Sequence, residues 1–276
     1  MAGDRGWFGR LAEALARLRG TGPLDPHGVR LPPARLHRYK GYVSLHFRRG
    51  QTQSRMRGDT PDRLLIDYTR TMLAALLWQP RPRRIGIVGL GGGSQVKFLH
   101  RHLPGARLEV VENHPGVIAL RRSFGIPDDD ARLEVAFDDG ARFIAERPAR
   151  YDLLLVDGYD AAGIPEALTT PAFLRACRGA LAAGGVMAAN LHGDGCAPYI
   201  MQLREAFGVD RVLVVQEAEM SNRVVFAWAG DQPRGDAATL DAARAVFGEE
   251  AWRELAPAFQ QVARELRLGS EMACAS

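Results

Sequence analysis

The residues with the clearest chemical purpose are a glycine string, Gly89-Leu90-Gly91-Gly92-Gly93, closed by Ser94, between an apolar run (RIGIV) and a segment of helical periodicity (SQVKFLHRHL). Glycines there let the chain turn sharply and let a ligand approach the backbone without meeting a Cβ atom. Such a turn is common between strand and helix, so its neighbours decide its meaning. Glu112 closes the next apolar run, ARLEVVE, about 20 residues on, where an acid accepts hydrogen bonds from ribose hydroxyls. The following run, ARLEVAF, ends in Asp138, Asp139 and Gly140. Carboxylates at the ends of adjacent parallel strands converge on one crevice, where Asp139 would accept a hydrogen bond from an adenine amino group. One of the two aspartates is also a candidate N-cap for the helix beginning near Ala141. Asn113 and Gly140, beside these acids, are counted with them as ligand-binding. The set as a whole reads as a crevice for a nucleoside-like ligand.

These groups need a scaffold, and the chain alternates strand and helix from residue 81 onward. RIGIVGL, ARLEVVE, ARLEVAF, YDLLLVD and VMAANL read as strands, separated by helical segments that include PAFLRACRGALAAGG, closed by Gly184 and Gly185. Strands separated by helices imply parallel pairing with right-handed crossovers. RVLVVQ and NRVVFAWAG, joined by a short turn near Ser221 and Asn222, add an antiparallel edge hairpin. The expected architecture is α/β: a class I methyltransferase-like Rossmann fold with a doubly wound, mostly parallel sheet. Residues 1–80 form a small N-terminal lobe. It comprises a first amphipathic helix (Trp7, Phe8, Leu11, Leu15, Leu18), a Pro/Gly-rich linker TGPLDPHGVRLPPARLH, a hairpin split at Gly50, and a lead-in helix with Thr60 as N-cap and Pro61 at its first position. Residues 81–230 form the ligand-binding domain, and 231–276 are helices ending in a frayed tail, GSEMACAS.

Composition narrows the function. The 276 residues are 46% hydrophobic and 25% charged, which fits a globule with a large core and argues against disorder. The net charge of +4 is carried almost wholly by arginine, since Lys40 and Lys97 are the only lysines. The arginines are scattered without interleaved aromatics, which argues against a nucleic-acid partner. Cys177, Cys196 and Cys274 are odd in number and widely spaced, so they form neither a disulfide framework nor a metal knuckle; the expected compartment is a reducing cytoplasm. No apolar run approaches the ~20 residues of a membrane span. The first helix is expected to pack on the body, without stable membrane association. His100 and His102 are two apart on a helix and face different sides, and no Cys/Asp/His cluster completes a metal site. His192, Asn190 and Asp194 share the end of the fifth strand, so any of them could face the crevice, whereas Phe226 and Trp228 read as sheet packing.

At the fourth strand the chain reads YDLLLVDGYDAAGIPEALTTPAFL. With GLGGGSQ, VVENHP and DDGARF, this resembles the spermidine synthase family of aminopropyltransferases, whose fourth strand ends in D-x-x-D-P; the resemblance spans about Arg63 to Gly230. It implies an S-adenosyl sulfonium donor framed by Gly89, Gly91, Gly92, Gly93 and Ser94, with Glu112 on its ribose and Asp139 on its adenine. It also implies Asp157 as the catalytic acid/base that takes a proton from the attacking amine, and Asp160, Tyr159 and Tyr68 as amine-pocket residues. No metal is implied, and a homodimer is. The departures are Ser94 where the family usually has an aspartate on the donor's aminopropyl amine, and Ala161 for the motif's proline. Thr69, Arg70 and Thr71 follow Tyr68 in place of an amide or imidazole and a glutamate, and VVQEAEMSNRVV lacks the late tyrosine-proline-glycine segment. The resemblance therefore leads first to aminopropyl transfer from decarboxylated S-adenosylmethionine to a putrescine-like amine. Two alternatives stand beside it: methyl transfer from intact S-adenosylmethionine, and non-catalytic binding of an adenosyl ligand.

Overall fold

The structure is a computed structural model that describes residues 22–48, 51–160, 163–193, 196–218 and 221–274, without the side chains of residue 51 and residues 269–274. The first amphipathic helix, Gly50, Ala161 and Asp194 therefore lie outside the described residues.

Three antiparallel strands, β1 (Arg35–Tyr39), β2 (Tyr42–Arg48) and β3 (Gln51–Arg57), form a small sheet in that order. The sequence leads to β2 and β3 but places β1 in the linker. Arg35-Leu36-His37-Arg38-Tyr39 is nearly all exposed and has too little apolar alternation to read as a strand; it is ordered by its ladder to β2, Leu36 opposite Leu45 and Tyr39 opposite Tyr42. Val43, Leu45 and Met56 turn inward and join the main core.

The main sheet comprises β4 (Arg84–Val88), β5 (Arg107–Glu112), β6 (Leu133–Phe137), β7 (Tyr151–Val156), β8 (Leu181–His192), β9 (Val212–Gln216) and β10 (Asn222–Trp228). Their order is β6-β5-β4-β7-β8-β10-β9. Pairings from β6 through β8 are parallel, and β10 runs antiparallel to both β8 and β9, the expected edge hairpin. Strand order reverses at β4, between β5 and β7. A doubly wound sheet opens its ligand crevice at that switch point, at the carboxyl ends of the strands. One apolar cluster covers each face, and the larger reaches from Val43 through Ile87 and Phe226 to Phe259 of the last helix. Among the described residues no helix is long and apolar enough to cross a membrane.

Several element boundaries differ from the sequence expectation. The lead-in helix starts at Asp67 with Ile66 as N-cap, not at Pro61 behind Thr60. The Leu64 amide donates to Glu254 and its carbonyl accepts from Arg70, so tertiary partners hold 61–66 out of the helix. The helix after β5 is α-helical only over Pro115–Ala119, and a 3-10 turn carries the chain from Arg121 to Phe124. Gly184 and Gly185 do not stop a helix. The preceding helix ends at Ala180, and both glycines lie within β8. A Cβ on Gly185 would fall 2.7 Å from the Tyr151 carbonyl oxygen, so close strand approach explains the glycine there. The terminal segment is helical to Cys274, the end of a helix from Glu249, rather than frayed.

Candidate active site

The turn after β4 is built as the glycines suggest. Gly89, Gly91 and Gly93 have positive φ, and Gly93 is the left-handed N-cap of the helix Ser94–His102. A Cβ on Gly89 would lie 2.4 Å from the Asp157 carbonyl oxygen, and one on Gly92 would lie 2.4 Å from Ser54 Oγ of β3. The turn is thus pressed between the end of β7 and the small sheet, with room for backbone only. Gly89 to Ser94 all line a cavity of about 540 Å³, as do Glu112, Asn113, Asp139, Gly140, Tyr68 and the segment Asp157 to Asp160.

Glu112 is buried at the end of β5. Its Oε2 accepts from the Leu90 amide and its Oε1 from the His114 amide, both at 2.9 Å. Burial raises its carboxyl above the ordinary range, against the lowering effect of these backbone donors. Each oxygen keeps a further lone pair, so the carboxylate is fixed in orientation while still able to accept hydroxyl groups. His114 supports this corner: its Nδ1 accepts from the Gly116 amide, so its Nε2 carries the proton donated to the Pro32 carbonyl at 2.8 Å.

The two aspartates after β6 take different roles. Asp139 is the N-cap of Gly140–Ala145, its Oδ1 accepting from the Arg142 amide at 2.9 Å, while Oδ2 lies 3.4 Å from His27 Nε2. Asp138 accepts from the Arg142 guanidinium and from the Asp139 amide, and it is not among the residues facing the cavity. Gly140 permits the helix to begin against β4, since a Cβ there would be 2.8 Å from Val88 Cγ1.

Asp157 is the least solvated acid of the site. Its Oδ2 accepts from the Tyr68 hydroxyl at 3.0 Å and its Oδ1 from Asn190 Nδ2 at 2.8 Å. Burial raises its pKa, and the two hydrogen bonds only partly oppose this. Burial and the adjacent Asp157 charge raise Tyr68 well above an ordinary phenol, which keeps its hydroxyl a donor. Asn190 is itself fixed, its Oδ1 accepting from Asn222 Nδ2 at 2.8 Å. Both donors to Asp157 are neutral, so a cationic group entering the cavity would be its first full charge partner there. Tyr159 donates to the Asn190 carbonyl at 3.1 Å. Asp160 accepts from the Gly163 amide at 3.0 Å and closes its own loop while lining the cavity.

The structure therefore gathers every sequence-predicted site residue except Asp138 around one cavity. His192 also faces it, bonded to Ser221 at 2.9 Å. Sequence reasoning missed Asn222, Thr52, Gln53 and Ser54. The last three stand on β3, which meets the glycine turn only in three dimensions. His100 pairs with Asp130 and His102 packs on Phe98, both away from the site.

The family model of the spermine/spermidine synthase domain matches residues 67–205. The chain is 38% identical over 148 residues to a polyamine aminopropyltransferase of Chromobacterium violaceum, covering 53% of this chain and 57% of that protein. It therefore spans little more than half the length of this curated relative. Among solved structures, a probable spermidine synthase from Corynebacterium glutamicum superposes with a TM-score of 0.64 at 20% identity, covering 77% of this chain and 82% of that one. A spermidine synthase in complex with the transition-state analogue AdoDATO superposes at 0.57 with 18% identity, covering 83% and 90%. At these identities the superpositions speak for the fold.

Proposed function

The chain belongs to the spermine/spermidine synthase family, and from that premise we propose that it transfers an aminopropyl group from decarboxylated S-adenosylmethionine to a putrescine-like amine, releasing methylthioadenosine. The observation that carries this reading is Asp157: a buried carboxylate with two neutral donors, its main chain against Gly89 of the glycine turn. An amine arrives protonated and must lose a proton before it attacks the carbon next to sulfur. Asp157 attracts the ammonium as a charge, and its raised pKa makes it a better base for the proton. Tyr68 and Asn190 hold the carboxylate in one orientation, and alignment of nucleophile with carbon supplies much of the rate.

The donor's adenosine is assigned to the other half of the cavity. Glu112 is oriented by Leu90 and His114 for the ribose hydroxyls, and Asp139 stands at the adenine end. Asp139 spends Oδ1 on its helix cap, leaving Oδ2 beside His27 for a further donor. Tyr159 and Asp160 shape the amine side.

Ser94 favours a second reading. A hydroxyl at the first position of the helix Ser94–His102 gives no anionic partner to a decarboxylated donor and does not repel the carboxylate of an intact one. Methyl transfer from intact S-adenosylmethionine would use the same cavity. Incubation with each donor plus putrescine separates the two. Methylthioadenosine from the decarboxylated donor, lost about a thousandfold in Asp157→Asn, is expected. S-adenosylhomocysteine from the intact donor would replace this reading with methyl transfer.

A further inference from the structure

A row of polar side chains leaves the catalytic aspartate and crosses four neighbouring strands on one face of the sheet. Asp157 follows β7, Asn190 is in β8, Asn222 begins β10 and Glu217 follows β9. Asn190 lies opposite Val224, two residues from Asn222, and the Glu217 amide donates to the Asn222 carbonyl at 3.0 Å. Opposed residues of antiparallel strands, and residues two apart, share a face. Hydrogen bonds of 2.8 Å run from Asn222 to Asn190 and from Asn190 to Asp157.

The far end of the row is unfinished. Asn222 Oδ1 and Glu217 Oε1 are both buried and have no hydrogen-bond partner, in residues only 3% and 6% exposed. A buried carboxylate oxygen without a donor is costly, and native chains retain such groups where something else completes them. Two acceptors on adjacent strands, one of them a carboxylate, call for a cation with several N–H donors, which describes an ammonium group. Asn222 lines the same cavity as Asp157.

We infer that Glu217, with Asn222 Oδ1, receives the second ammonium of a linear diamine whose first amine is held at Asp157, so that the row sets acceptor length. This rests on the amine-transfer reading above, and the two fail separately. The test measures kcat/KM for linear diamines of increasing length and for n-alkylamines of matched length, with wild type, Glu217→Gln and Glu217→Asp. Loss of one charge-assisted hydrogen bond predicts that Glu217→Gln lowers the diamine-over-monoamine ratio about tenfold or more, through KM. Glu217→Asp, whose carboxylate is one methylene further back, should move the preferred diamine to a longer chain. A merely structural role does not produce that shift. An unchanged ratio and length optimum in both variants overturns the inference while leaving the reaction intact. If wild type transfers nothing to any amine, the reaction reading fails. Calorimetry of the same amines then decides the subsite: diamine-selective binding lost in Glu217→Gln supports it, and absence of that selectivity in wild type overturns it.

Discussion

Asp157 keeps its carboxylate where solvent is scarcest, and that has consequences for both pH dependence and stability. Its folded pKa lies above the ordinary carboxylate value because of burial, with Asn190 and Tyr68 pulling it partly back. Removing the phenol by Tyr68→Phe takes away one of these lowering hydrogen bonds. The acid limb of the kcat/KM profile should therefore move to higher pH, by roughly one unit for a hydrogen bond to a charged group. An unmoved limb would separate Asp157 from the ionisation that governs turnover. The linkage sign follows from the same shift. A raised folded pKa contributes stability that is present below the unfolded carboxylate pKa and lost as pH rises through the folded value. At neutral pH the ligand-free fold carries the cost of an ionised buried group, and Asp157→Asn removes it. The Asn190 amide, held by Asn222, can still donate to the new carbonyl, and the Tyr68 hydroxyl can rotate to accept from the new NH2. Asp157→Asn should thus melt at or above the wild-type temperature at pH 7 and converge with it near pH 4, while turnover is lost; a clearly lower Tm at pH 7 would contradict this. Glu112, Asp139 and Asp157 are legible in the sequence because each ends an apolar run, and strand ends are where a doubly wound sheet gathers its ligand groups. The division between Asp138 and Asp139 is not legible: both adjoin the same helix, and only side-chain direction shows that one caps it and the other pairs with Arg142. Asn222 carries no pattern at all, since its link to Asn190 depends on the register of β10 with β8.

The elements around the site are held apart by very little space, and the glycine turn is where this is tightest. Gly92 faces Ser54 of β3 and, at 3.1 Å, the ring of Phe124. A methyl group added by Gly92→Ala would push the small sheet away from the turn and should weaken donor binding in calorimetry by about tenfold, the scale of a moderate overpacking strain. Ser54→Ala deletes the closest atom, so the double variant Gly92→Ala/Ser54→Ala should recover much of that loss. Equal weakening with and without Ser54→Ala would place the strain elsewhere in the turn. The contact also shows which parts of the element map the sequence could supply. Strands β4 to β7 are short, almost wholly apolar runs bounded by turns, so they stand out. β1 is nearly all exposed and polar, and only its ladder with β2 makes it a strand. Pro61 behind Thr60 is a sound helix start by local chemistry, but Glu254, 190 residues later, takes the Leu64 amide. Gly184 and Gly185 have the composition of a helix stop, yet the chain has already passed into β8, where proximity to Tyr151 is what matters. In each case the deciding partner is distant in sequence.

Across the whole molecule, the small sheet, the first Rossmann helix and the segment after β5 are joined through one buried cation in a protein whose positive charge is otherwise almost entirely arginine. Lys97, 2% exposed, donates to the Phe124 carbonyl at 2.8 Å and lies 3.3 Å from the Met56 sulfur of β3. Burial lowers its pKa to about 8, with distant Asp62 opposing the shift. For a base whose folded pKa lies below its unfolded one, the unfolded chain binds more protons between the two values, so stability rises with pH through that window. Cys177 works in the opposite sense: burial raises its thiol far above the unfolded value, so its contribution falls as the unfolded thiol ionises. The net pH dependence of wild type alone is therefore uninformative, and the useful quantity is a difference between variants. Lys97→Met keeps a long apolar side chain in the same space but cannot titrate, while Cys177 remains in both proteins. Unfolding free energies from denaturant titration should show wild type gaining on Lys97→Met by about 1–2 kcal/mol between pH 8 and pH 10, part of the limit of about 1.4 kcal/mol per pH unit set by one proton. A difference that stays flat across that range would mean that Lys97 keeps its proton in the fold. The small sheet would then be held to the Rossmann domain by a permanent buried charge rather than by an amine that the protein interior can neutralise.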